Sequence, residues 1–441
     1  MKRNAALTLM VWLLLVVLVL PMVACTQEQE QEQEQGSHAV TETEAQTEPL
    51  PDPVDPASFG DADVTYDCQD DSVLRTYKGK TAQDFAGVRS YYLQKGCSVY
   101  AESEKAGNLF ATLVNGEFMA HIYWIKYSGE LNIVLSDTAG ATLPPANTPE
   151  IAEGSVKPSV TQMRDSSNVN GMCYIVQLPD GSFIVYDGSY EKRANKVLAQ
   201  IEELHVGDGV PLIRAWVLTH SHNDHHPTFA YVCNKKADKV KVEYVIFAPI
   251  EENLAKKIGG DEYFNQDIHA DIEKLGAKAV YAHTGMEFTF GNFKLEVLLA
   301  ADDLFKVGNH NNYFNNSSLV TRIYAEDYSA LFLGDIGKEG SGLMTDMYGD
   351  YLKSNFCQVS HHGVEDVPLE FYELVQASIL AYPCNKYLYD QKERHYEVRM
   401  AMEERSYTKE ILIAGVGQFT REWGTTFAED APLSMPEYER K

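Results

Sequence analysis

The run IRAWVLT, residues 213–219, leads straight into HSHNDHH, residues 220–226, and this junction most limits what the chain can fold into. Four histidines and an aspartate fall within seven residues, in a chain with 13 histidines in all. The apolar run reads as a buried strand. In extended chain leaving that strand, side chains two apart share a face, so His220 and His222 reach toward the same point. Asp224 and His225 are neighbours and diverge, which suits a second, adjacent pocket. Neutral imidazole with carboxylate is the donor set of zinc and related divalent cations.

Three further strand ends offer matching groups. IVYDG places Asp187 before a glycine turn, where a carboxylate can orient a ligand histidine from behind. ALFLGDIG places Asp335 between Gly334 and Gly337, which allow close approach, and a carboxylate there can bridge two ions. FCQVSHHG delivers His361 and then His362, which can exchange roles. Strands such as MCYIVQL, VEYVIF and SILAY alternate or pair around helical ANKVLAQIEEL and PLEFYELVQ, without internal repeat. The pattern predicts a large α/β sandwich over 155–441, with the site at the carboxyl edge of its sheets.

HSHNDH carries the HxHxDH signature of the metallo-β-lactamase fold hydrolases, and Asp187, Asp335 and His361 follow in that family's order. The chain most resembles the competence-type, DNA-internalisation-like subgroup, where NNSSLV, LFLGDI and SHHG recur in the same sequence. The resemblance spans roughly 155–420. It implies an αββα sandwich with one or two divalent ions, zinc first and manganese or iron as alternatives. His220, His222, Asp224, His225, Asp335 and His361 would hold them, with Asp224 and Asp335 as the catalytic carboxylates. The implied chemistry is hydrolysis by a cation-activated water. There are departures. The family's further histidine ahead of the bridging aspartate falls on Asn315 and Asn316, with His310 a little upstream. His226 and Pro227 replace the glycine that often follows the signature. Asn385 and His395 are candidates for a substrate-side rim, while His269 and His283 read as helix-surface or loop residues. The rival reading is a non-catalytic surface binding module that keeps the fold.

The chain ends say where such a hydrolase works. Residues 1–25 combine the basic start MKRN with a long apolar run that closes on MVAC. That ending resembles a bacterial lipobox with Met22 in place of leucine, so Cys25 is expected to carry a lipid anchor; a membrane-spanning helix is the alternative. Either places the body outside the cytoplasm. Residues 26–66 hold 11 acidic side chains and no lysine or arginine, which predicts a disordered tether. The net charge is −27, and −18 remains once the leader and tether are set aside. So acidic a body argues against long duplex nucleic acid as partner. It favours a small-molecule or oligonucleotide-like substrate.

Residues 67–150 read as a small α+β domain. Phe85, Val88, Tyr92 and Leu93 share one face of a helix stopped at Gly96. NLFATLV, EFMAHIYWIKY and LNIVLSD follow as a three-stranded meander, with His121 as a packed strand residue. Six cysteines besides Cys25 permit disulfides, Cys68 with Cys97 being the pair to test first.

Overall fold

The four strands nearest the histidine run are apolar almost without interruption, a pattern that survives only where both faces of a sheet are covered. In the computed structural model they are covered. It describes residues 51–69, 71–137, 142–146, 156–165, 170–252, 255–256, 263–304, 313–364, 367–393 and 395–438. The leader, Cys25, the start of the tether and His310 lie outside the described residues.

Two seven-stranded sheets face each other. One runs, in spatial order, Lys278–Tyr281, Lys241–Phe247, Leu212–Val217, Phe183–Asp187, Cys173–Gln177, Ser159–Gln162 and Phe419–Glu422. Its first four strands are parallel and the rest antiparallel. The other runs Glu287–Phe290, Phe293–Leu299, Val320–Ala325, Tyr328–Phe332, Phe356–Gln358, Ile379–Tyr382 and Glu410–Ile413. It is antiparallel as far as Tyr328–Phe332 and parallel beyond.

Side-chain alternation divides each sheet between two cores. Tyr174, Val176, Ile184 and Tyr186 of the first of these sheets meet Leu295, Val297, Phe332 and Phe356 of the second. Tyr186 and Phe332 stack across the layers with ring centres 3.8 Å apart. Facing outward, Ile175, Val185 and Trp216 pack under the helices Ala194–Leu204, Pro227–Lys235 and Ile268–Leu275. Leu331, Cys357 and Leu380 pack under Lys338–Tyr348 and Leu369–Val375. This is the αββα sandwich.

The N-terminal part holds more strand than its sequence suggests. Six antiparallel strands form its sheet, in the order Val64–Asp67, Ser72–Tyr77, Glu130–Ser136, Phe118–Ile125, Asn108–Asn115 and Ser98–Lys105. Polar residues interrupt SVLRTY and SVYAESEK, which hides their alternation. The first strand corrects the expected tether: residues 51–66 carry the 3₁₀ turn Pro56–Phe59 and the strand Val64–Asp67, paired to Ser72–Tyr77. The helix Ala82–Gln94 starts at Thr81, whose hydroxyl accepts from Asp84 N while its own N–H donates to the Asp84 carboxylate. That capping box fixes the helix start. On the opposite face Leu74, Phe110, Tyr123 and Val134 join Leu298, Leu299 and Val320 in one apolar cluster, so this sheet shares its core with the sandwich. The described residues belong to one compact unit. Cys68 and Cys97 lie in different clusters, and all six cysteines of the body are buried free thiols. Among the described residues no helix is long and apolar enough to cross a membrane.

His121 ties the N-terminal sheet to the sandwich. Its Nε2 donates to the Thr284 carbonyl (2.9 Å), which leaves Nδ1 to accept from the Thr112 hydroxyl (2.9 Å). Burial, reinforced by the charges of His283 and Lys105, pushes its pKa down to about 3. The unfolded ring titrates near 6.5. Between those values the unfolded chain takes up a proton that the folded chain refuses, so stability falls as pH drops through that window. The loss is about 1.4 kcal/mol per pH unit. Urea midpoints at pH 7 and 4.5 should therefore differ less for His121→Gln than for the native chain.

Candidate metal centre

Four loops meet where parallel strands of both sheets end. Phe183–Asp187 ends in Asp187, and Leu212–Val217 runs into the histidine loop. Tyr328–Phe332 leads to Asp335, and Phe356–Gln358 to His361 and His362. Their junction is tight. A Cβ on Gly334 would lie 2.7 Å from Ser318 Cβ and 3.1 Å from Thr219 Cβ, and its φ of +56° also favours glycine. The fully buried Gln358 side chain then pins the loops together. Its Oε1 accepts from the N–H groups of Leu333 and Gly334, and its Nε2 donates to the carbonyls of Gly334 and Val359.

Asp187 fixes the orientation of His225. One carboxylate oxygen accepts from Thr219 N (2.8 Å), the other from the Thr219 hydroxyl (2.8 Å) and His225 Nδ1 (2.7 Å). With Nδ1–H committed, His225 Nε2 faces Asp335 Oδ2 at 3.1 Å. Burial opposes charge on this ring, yet the carboxylates of Asp335 and Asp187 on either side raise its pKa well above 6.5. The ring nitrogen nearest Asp335 thus occupies a place built for positive charge.

Asp335 is the hub. Its Oδ2 lies 3.1 Å from His225 Nε2, 3.6 Å from His362 Nε2, and 3.8 Å from both His220 Nε2 and His361 Nε2. Burial would raise its pKa, but the imidazoles of His225, His362 and His361 hold it well below the usual range, so it stays ionised. Its Oδ1 is buried with no hydrogen-bond partner among the described residues. His220 is pushed the other way, chiefly by burial, and stays neutral, as a ligand must. Its Nδ1 meets the hydroxyls of Ser318 (3.2 Å) and Thr219 (3.1 Å), which turns the Nε2 lone pair inward. That Nε2 lies 3.1 Å from His222 Nδ1.

Asp224 and the second histidine pair complete the cluster. Asp224 Oδ2 accepts from His362 Nε2 at 3.2 Å, and Oδ1 stands 3.9 Å from His225 Nε2. Burial raises its pKa, but the His362 bond and the nearby imidazoles outweigh it and lower it well below the carboxylate range. Nδ1 of His362 donates to the Pro383 carbonyl (2.6 Å). Sequence order offered His361 as the ligand beside Asp224, with His362 as its possible substitute. The structure seats His362 there, and His361 faces Asp335 and Asn315 (3.5 Å). The reason is a turn in which both residues adopt positive φ, 42° and 57°, so that the second ring swings inward.

The remaining sequence candidates resolve differently. His226 donates from Nδ1 to the His222 carbonyl (3.1 Å) and stacks on Tyr263 (4.1 Å), so it braces the loop from outside the cluster. Asn385 caps the helix Lys386–Asp390 by accepting from Leu388 N, and it donates to Asn170. His395 precedes Tyr396–Glu403 as its cap residue, and His283 meets Asp302 at 3.2 Å beneath the N-terminal sheet. His269 contacts the Tyr281 hydroxyl. Thr219, Ser318 and Gln358 also shape the site without a local signal for that role. NNSSLV stands out as a motif, but the use of its serine hydroxyl depends on a strand from another part of the chain.

The groups present fit a divalent cation. Two nitrogens bound to one tetrahedral ion at about 2.0–2.1 Å lie about 3.3 Å apart, close to the His220–His222 separation. Among the described residues, two sets of donor atoms lie mutually within 4.8 Å, His220, His225 and Asp335 in one and Asp224, His225 and His362 in the other. The orphaned Asp335 Oδ1 is a third sign of a missing positive partner.

Residues 167–370, which contain every group of this cluster, match the family model of the Metallo-beta-lactamase superfamily. Just under half of the chain is thus similar to this superfamily, whose members bind divalent metals, usually zinc, and are mostly hydrolases. Among solved structures the chain is similar to the metallo-beta-lactamase fold protein YhfI from Bacillus subtilis. The identity is 12% and the TM-score 0.35, over 60% of this chain and 100% of that one. It is similar to Zn(2+)-bound PqqB from Methylobacterium extorquens at 8% identity and TM-score 0.29, over 46% of this chain and 70% of the other. A metallo-β-lactamase from Cronobacter sakazakii gives 15% identity and TM-score 0.26, over 42% and 64%. Likenesses this distant carry no argument about substrate. No curated protein matches the chain.

Proposed function

We propose that the protein hydrolyses a phosphodiester or another small ester, held at the outer face of the membrane by a lipid on Cys25. One observation carries the chemistry: imidazoles and carboxylates from separate strand ends converge on a buried, ionised Asp335 with an unsatisfied oxygen. His220 through Nε2 and His222 through Nδ1 hold one side of the cation cavity, and Asp224, His225 and His362 the other, with Asp335 shared. A divalent cation bound there supplies Lewis acidity and a water whose pKa lies near neutrality. Asp224 is the more open carboxylate, its side chain 25% exposed against 1% for Asp335. Beside a bound cation its carboxylate would orient the attacking water and take up its proton, while His362, whose Nδ1 is held by the Pro383 carbonyl, would offer Nε2 to the cation. Asp335 keeps the imidazoles in register.

Charge supports the substrate class. A body charge of −18 repels polyanions, while a single small ester carries little charge to repel. A cavity of about 480 Å³ lined by Asn223, His226, Tyr231, Tyr263 and Lys274 opens beside the histidine loop, but none of the proposed ligands lines it. A comparable cavity at Arg322, Asn355 and Ser378 lies at the opposite ends of the strands and is remote from this chemistry. The apolar leader ending in MVAC supports the location.

The test is metal content per purified chain, followed by turnover on bis(p-nitrophenyl) phosphate, p-nitrophenyl acetate and a lactone. Turnover of at least one, lost in His220→Ala, is expected. A metal-loaded protein inert toward all three would favour a binding module instead. Asp187→Ala keeps every proposed ligand but frees the His225 ring, so its metal affinity should fall about 10–100-fold in competition with a chelator.

A further inference from the structure

The face of the N-terminal sheet that is turned from the sandwich carries a further cavity, of about 330 Å³. Ile133 and Leu135 give it apolar lining, and Tyr77, Tyr91 and Tyr92 line it with rings. Its charges are Arg75 and Asp55. Arg75 sits directly across from Ile133 on the neighbouring strand. The half-buried guanidinium makes no hydrogen bond or ion pair with any described residue. Nor do the three tyrosine hydroxyls bond to a described group, although Tyr77 and Tyr92 are only 5% and 6% exposed. None of these polar ends is a fully buried atom, so each is open to the cavity and to solvent. Asp55 differs: one oxygen accepts from Ala57 N (2.9 Å), and the other is open.

These groups describe their ligand. A planar guanidinium without a carboxylate partner suits one carboxylate or phosphate. Tyrosine rings suit the flat face of a ring, and their hydroxyls suit polar substituents. The open Asp55 oxygen accepts hydroxyl donors and repels a second anionic group. We propose that this cavity binds a negatively charged sugar residue, with its anion on Arg75, its ring against Tyr91 and Tyr92, and a hydroxyl on Asp55. Such a residue can come from a uronic acid unit of a glycan or from a sugar phosphate.

Calorimetric titration of the full chain with D-glucuronate, D-glucose 6-phosphate and D-glucose tests this. One or both anions should bind at least tenfold more tightly than glucose. A preference for glucuronate identifies a glycan, and a preference for glucose 6-phosphate a sugar phosphate. Arg75→Gln should erase the anion preference, and Tyr91→Ala should weaken all three, with thermal midpoint and metal content unchanged. Asp335→Ala should leave the binding intact, which separates this cavity from the metal centre. Equal affinity for glucose, no binding by any probe, or anion binding that persists in Arg75→Gln would overturn the proposal.

Discussion

Asp335→Ala should lower kcat/KM on the best substrate of the panel by about 1,000-fold, equivalent to about 4 kcal/mol of transition-state stabilisation. It should also reduce bound metal per chain. The expectation follows from position. Asp335 Oδ2 lies within 3.8 Å of a ring nitrogen on each of His220, His225, His361 and His362. Removing that carboxylate leaves buried imidazoles facing one another without a negative centre, and takes away the group shared by both halves of the cavity. Two companion variants sharpen the result. His362→Ala breaks the contact with Asp224 and should cost metal as Asp335→Ala does. His361→Ala, whose ring is 18% exposed and bonds to neither Asp224 nor Asp187, should retain most of it. Metal content and rate that survive both Asp335→Ala and His362→Ala would refute the assignment of the centre.

The second large effect concerns stability. Glu296→Leu should destabilise the protein by about 3–5 kcal/mol in chemical denaturation, because it strands buried cations. Glu296 is fully buried, and its carboxylate accepts from Arg322 Nε and the Tyr351 hydroxyl (2.9 Å). Lys105, itself 1% exposed, reaches Glu296 at 3.8 Å and Glu287 at 2.7 Å. Lys105 belongs to the N-terminal sheet and both glutamates to the sandwich, so the network crosses their junction. Replacing Arg322 and Lys105 by apolar residues in the same chain should recover part of the loss. A Glu296→Leu protein as stable as the native one would show that the junction contributes little.

That junction was not visible beforehand. Residues 67–150 have their own helix, strands and turn signals, and nothing local says that Leu74, Phe110 and Val134 bury against Leu298 and Val320. Lys105 in SVYAESEK looks like a solvated charge until the opposite sheet supplies its carboxylates. The strand Val64–Asp67 was hidden for a related reason, since four residues pair only where Ser72–Tyr77 offers an edge. The grouping of imidazoles and carboxylates, by contrast, is largely legible. Asp187, Asp335 and the SHHG pair each sit at the end of an apolar run, and period-two geometry places His220 and His222 together without any knowledge of the fold. His225 beside Asp187, and Ser318 beneath His220, required the strands to be set side by side.

By itself the sequence determined which groups stand at strand ends and which faces seek burial, because strand periodicity and apolar runs are properties of short segments. Only the tertiary structure decided that His362 takes the place beside Asp224, that His226 turns away to stack on Tyr263, and that the N-terminal sheet shares a core with the sandwich. Those outcomes depend on contacts between segments distant in the chain, 138 residues apart for Asp224 and His362 and 37 for His226 and Tyr263. Backbone turns of a few ångströms decide them, and no local pattern records such turns.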